Sequence, residues 1–60
     1  MKNIYKKAIE QGKILKHQSF ETSKGLYTLF LVRYKDDIFF FKYKDGDIVE
    51  CHNLSKTEGF

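Results

Sequence analysis

His17, Cys51 and His52 are the side chains of this chain whose types suit transition-metal binding or nucleophilic and acid–base chemistry near neutral pH. A pair of histidines working as base and acid is enough to cleave RNA in principle, and a thiol beside an imidazole begins a cysteine nucleophile. The spacing argues against both. Cys51 and His52 are adjacent on a segment that reads as a strand, so their side chains diverge. His17 belongs to an early strand, which a meander separates from theirs. No glycine-rich phosphate loop, nucleophile elbow, third orienting group or zinc spacing accompanies them. The expectation is a non-enzymatic chain with no metal and no cofactor, a buried thiol and surface histidines. A small ribonuclease or toxin using His17 and His52 is the enzymatic alternative.

The acidic residues read as turn chemistry. Asp45, Asp47 and Glu50 surround Gly46, but the D-x-D-x-D-G spacing and distal glutamate of a calcium loop are missing. Asp36 and Asp37 suit a tight turn and have no pocket to make them a catalytic pair.

Aromatic and basic residues carry the stronger signal. In "DIFFFKYKDGDIVE", residues 37–50, Phe39, Phe40 and Phe41 are consecutive. Neighbours on a strand face opposite sides of a sheet, so Phe40 points away from Phe39 and Phe41. The chain holds ten lysines and one arginine against eight acids, a net charge of +3 that suits an acidic partner without requiring one. Lys2, Lys6 and Lys7 lie on a helical strip, with Lys13 and Lys16 just beyond it; they are the candidate contacts to nucleic acid.

The elements that must position these residues follow from periodicity. Ile4, Tyr5, Ala8 and Ile9 form one stripe of a 3.6-residue repeat, which predicts a short helix over residues 3–11, with Gly12 as a left-handed cap. From residue 13 the period becomes two. Strands are expected over about 13–22, 26–35, 38–43 and 47–53, with a tail at 54–60. The first is weakly patterned and suits an edge, with Ile14, Lys16, Gln18 and Phe20 on one side; "SKG" at 23–25 turns it. The second, "LYTLFLVRY", is apolar on both sides and suits the middle of a sheet.

Register follows from the turns. A two-residue loop at Asp36 and Asp37 sets Tyr34 opposite Phe39 and Val32 opposite Phe41, collecting Phe30, Val32, Tyr34, Phe39, Phe41 and Tyr43 as the core face. A two-residue loop at Asp45 and Gly46 would set Glu50 opposite Phe41, whereas a three-residue "KDG" loop with Gly46 left-handed sets Val49 opposite Phe41 and Cys51 opposite Phe39; the second is expected because it keeps the carboxylate off the aromatic face. The other face then holds Tyr27, Leu29, Leu31, Arg33, Phe40, Lys42, Ile48 and Glu50. One short helix covers one face only. The second is left to water, to Leu54 and Phe60 of the tail, or to another molecule.

Sixty residues make a single small domain with a thin core, and one cysteine closes no internal disulfide. With 42% hydrophobic and 32% charged residues the chain is neither disordered nor a low-complexity tail. No apolar run approaches a membrane span, and the N-terminus has no signal-peptide centre, so a reducing, cytoplasmic setting is expected. The lysine-, isoleucine- and phenylalanine-rich vocabulary points to an AT-rich bacterial or phage genome. The resulting expectation is an α+β fold, a short N-terminal helix packed on a four-stranded antiparallel β-meander. Its function is expected to be that of a regulator or inhibitor contacting a protein target, or a second copy, through Tyr27, Leu29, Leu31, Arg33, Phe40 and Lys42. The alternative partner is nucleic acid, bound by lysines and sheet aromatics.

Overall fold

Tyr5, Ala8 and Ile9 recur at the spacing that puts them on one side of a helix. The computed structural model, which describes residues 3–56 apart from the side chain of Lys56, forms helix α1 over Asn3–Gln11. Two and a half turns are marginal alone. Packing holds them: Ala8 is fully buried, and the Tyr5 ring stands perpendicular to Phe39 and Phe41 at centroid distances of 5.6 and 6.3 Å. Ile4, at the margin of the stripe, stays exposed.

Gly12 ends the helix for a different reason from the one expected. It does not adopt a left-handed φ. Its N–H donates to the Ala8 carbonyl at 2.8 Å, and a Cβ there would lie 2.4 Å from that oxygen and 2.5 Å from Val32 Cγ1. Glycine is required by close approach to the sheet, not by handedness.

Strands β1 (Lys13–Thr22), β2 (Gly25–Tyr34), β3 (Asp37–Lys44) and β4 (Asp47–Asn53) pair antiparallel in chain order, the expected meander. Each hairpin closes through two residues: Ser23 and Lys24, Lys35 and Asp36, Asp45 and Gly46. The expected Asp36–Asp37 loop is therefore displaced by one residue, with Lys35 at φ 57°. Val32 pairs with Phe39 and Phe30 with Phe41, two positions from the expected register. A shift of two keeps every side chain on its face, so the predicted core face survives.

The three-residue "KDG" loop is replaced by a two-residue turn with Asp45 at φ 51° and Gly46 at φ 93°, the left-handed pair that an Asp-Gly hairpin favours. Glu50 is kept off the aromatic face by other means. A bulge at Val49 adds one residue to β4, so Tyr43 pairs with Ile48, Lys42 with Glu50 and Phe41 with Cys51. Ile48 consequently lies on the core face, contrary to expectation, and Cys51 packs half-buried against the core. A second bulge, at Leu15, splits the first strand. Ile14 pairs with Val32 on the helix side, while Lys16, Gln18 and Phe20 pair with Leu31, Leu29 and Tyr27 on the other.

Ala8, Val32, Phe39 and Phe41 are wholly buried, with Tyr5, Ile9, Phe30, Tyr34, Tyr43 and Ile48 packed around them. The helix does not shield its whole side of the sheet. Beyond its end Ile9, Ile14, Thr28, Phe30 and Tyr43 line an open groove, and burial there pushes the Tyr43 hydroxyl pKa up. After β4 the chain reverses in a 3-10 turn, Leu54–Lys56, against the start of β3. Ser55 Oγ accepts the Ile38 N–H at 2.8 Å, and Asn53 Nδ2 donates to Asp37 Oδ2 at 3.1 Å. Leu54 remains exposed, and the expected placement of Phe60 lies outside the described residues. Among the described residues no helix is long and apolar enough to cross a membrane.

Candidate functional site

The face of the sheet opposite α1 is built by alternation along four strands. Phe20, Tyr27, Leu29, Leu31, Ile38 and Phe40 supply its apolar surface. Lys16, His17 and Gln18 of β1, Leu29, Phe30 and Leu31 of β2 and Phe40 of β3 line a shallow hollow of about 220 Å³. That is below the roughly 300–1,000 Å³ of small-molecule pockets and suits a single side chain better.

A run of contacts crosses this face. Phe20 stacks with Tyr27 at 5.7 Å, and Lys42 Nζ lies 5.0 Å from the Tyr27 ring centre. Lys42 Nζ meets Glu50 Oε1 at 3.6 Å, and Glu50 Oε2 lies 3.2 Å from His52 Nε2. The His52 ring in turn stacks on Phe40 at 6.1 Å. The hydrogen bond to His52 and the Lys42 charge hold the Glu50 carboxyl below the usual range.

The registers also sort charge. Lys13, Lys16, Arg33, Lys42 and Lys44 are the basic residues of the strands, and all five fall on this face; Asp47 and Glu50 are its strand carboxylates. The helix side of the strands carries Glu21 and Asp37 and neither Lys nor Arg. Among the described residues Lys13, Lys16 and Arg33 form no ion pair, which leaves their charge available.

All six residues expected to form the binding surface, Tyr27, Leu29, Leu31, Arg33, Phe40 and Lys42, are brought together here. The five lysines named as candidate nucleic-acid contacts are divided between elements. Lys6 and Lys7 are exposed on α1, Lys13 and Lys16 lie on the open sheet face, and Lys2 is outside the described residues. His17 pairs with Phe30 on the helix side of edge strand β1, whereas His52 lies on the open side of the opposite edge strand, so the structure does not bring the two together. Among the described residues no group of three His, Cys, Asp or Glu is placed to hold a metal.

Phe20, His52 and Lys44 belong to the face and were missed. A two-residue loop at Ser23 and Lys24 would have placed Phe20 beside Tyr27 by alternation alone, and alternation from Glu50 and Cys51 already puts His52 on this face. Comparison with protein-family models, with curated proteins and with solved structures finds no match.

Proposed function

We propose that the chain is a non-enzymatic binding protein, a regulator or inhibitor that contacts another protein through the open sheet face. The observation that carries this reading is the meeting of an apolar floor, Leu29, Leu31 and Phe40, with a basic rim on one side of a thin sheet. Aromatic and arginine side chains concentrate energy at interfaces, and a hollow with a charged border gives both an anchor point and an orientation. The segregation of five cations favours a second reading, single-stranded nucleic acid laid along the same face.

The test is capture of partners from the producing cell by the tagged chain and by its Phe40→Asp variant, with nuclease treatment beforehand. A protein retained by the wild type and lost by the variant, with unchanged circular dichroism, supports the proposal. Equal retention by both chains overturns it. Loss on nuclease treatment transfers the face to nucleic acid.

A further inference from the structure

We infer that the open face takes an acidic polypeptide segment carrying one apolar anchor side chain, the anchor seated between Leu29, Leu31 and Phe40 and the carboxylates on Lys16 and Arg33. This rests on the reading of that face as the binding surface and goes further by naming what binds.

Charge complementarity selects the occupant. Five cations face two carboxylates across the strands, a local excess absent from the helix side. The face also stabilises a carboxylate of its own, since Glu50 sits between Lys42 at 3.6 Å and His52 at 3.2 Å. A second copy is disfavoured by the same excess, because an isologous contact would set one basic surface on another.

Single-stranded nucleic acid fits the charge but not the floor. Bases bind by stacking on free ring faces. Here Tyr27 already has Phe20 stacked beside it and Lys42 Nζ 5.0 Å from its ring centre, and Phe40 has the His52 ring stacked beside it. A hollow of about 220 Å³ with Leu29, Leu31 and Phe40 in its lining has the size to receive one leucine or phenylalanine side chain rather than a run of stacked bases.

The experiment uses the whole isotope-labelled chain and four labelled probes: an Asp/Glu-rich peptide with one central phenylalanine, the same peptide with serine in that place, a neutral peptide keeping the phenylalanine, and an oligothymidylate. Fluorescence polarisation reads affinity and amide chemical shifts read location. The expected result is binding of the acidic anchored peptide, with shifts centred on Leu29, Leu31 and Phe40. Replacing phenylalanine by serine, neutralising the peptide or adding salt should each weaken binding roughly tenfold or more. Lys16→Glu, an exposed edge substitution that spares the core, should weaken the acidic peptide and strengthen none of the acidic probes.

Tighter binding of oligothymidylate at the same amides, equal binding of the neutral peptide, or concentration-dependent shifts there without any probe overturns this inference while leaving the face as the binding surface. Shifts confined to the helix side overturn both. Absence of binding by the acidic anchored peptide at millimolar concentration also overturns the inference.

Discussion

Phe39, Phe40 and Phe41 share a side chain and occupy two environments. The outer two are wholly buried beneath Tyr5, while the middle one is half-buried on the far side against His52. Phe41→Asp would put an unpaired charge into the core at a cost above about 4–5 kcal/mol, more than a domain of this size can spare, and should leave the chain unfolded by circular dichroism. Phe40→Asp should retain a cooperative urea transition. Equal loss of structure in both variants would mean that ring 40 belongs to the core. Glu50 makes a second residue-scale prediction, this one in pH. Its folded-state pKa is lowered by His52 and Lys42 from the ordinary 4.5, so its stabilising contribution is complete above that value and disappears as pH falls through the lower folded-state value. The stability gap between wild type and Glu50→Gln should therefore narrow in urea titrations stepped downward through pH 4.5. A gap that widens on acidification would contradict the contact.

At the scale of elements, the turns decide what each face receives. Asp45 is left-handed at φ 51° and its Oδ1 accepts the Leu26 N–H at 3.0 Å, while its own N–H donates to the Leu26 carbonyl at 2.8 Å. The β3–β4 turn is thereby tied to the start of β2. Asp45→Ala loses both the acceptor and the tolerance of that conformation and should lower stability by about 1–2 kcal/mol. Asp45→Asn keeps both and should stay close to wild type in the same urea titration; equal losses would assign the effect to charge instead. Helix, strands and their order were legible because a 3.6-residue stripe gives way at Gly12 to alternation, and each hairpin has polar or glycine punctuation. The two bulges were not. Nothing in "KILKH" or "DIVEC" specifies an extra residue; Leu15 and Val49 are displaced because the paired strands demand Ile14 opposite Val32 and Glu50 opposite Lys42. Half of the candidate site was readable from alternation in β2 and β3, whose registers slipped by two and so kept their faces. On β1 and β4 Phe20, Glu50 and His52 also follow from alternation; what no local pattern encodes is the pair of bulges that moves Ile14 and Ile48 to the helix side.

The whole molecule is a sheet with unlike sides, and the wholly buried core among its described residues consists of Ala8, Val32, Phe39 and Phe41. A single core in a domain of this size supplies at most about 3–5 kcal/mol, so any ligand of the native state has a large proportional effect on stability. Partner at a hundredfold excess over its Kd adds about 2.7 kcal/mol, and for a domain this small that raises Tm by roughly 10–20 °C. Melting followed by circular dichroism should show such a rise with saturating acidic anchored peptide, a smaller one in high salt, and none for Phe40→Asp, whose own Tm should remain measurable. A rise that persists in Phe40→Asp would move the contact to the groove beside α1, where Phe30 and Tyr43 offer apolar surface without a basic rim. The two sides thus respond differently to salt. Screening weakens attraction at the cationic face, whereas apolar burial in the groove is not weakened by added salt, so whether the peptide-induced rise in Tm shrinks with salt identifies the side that binds.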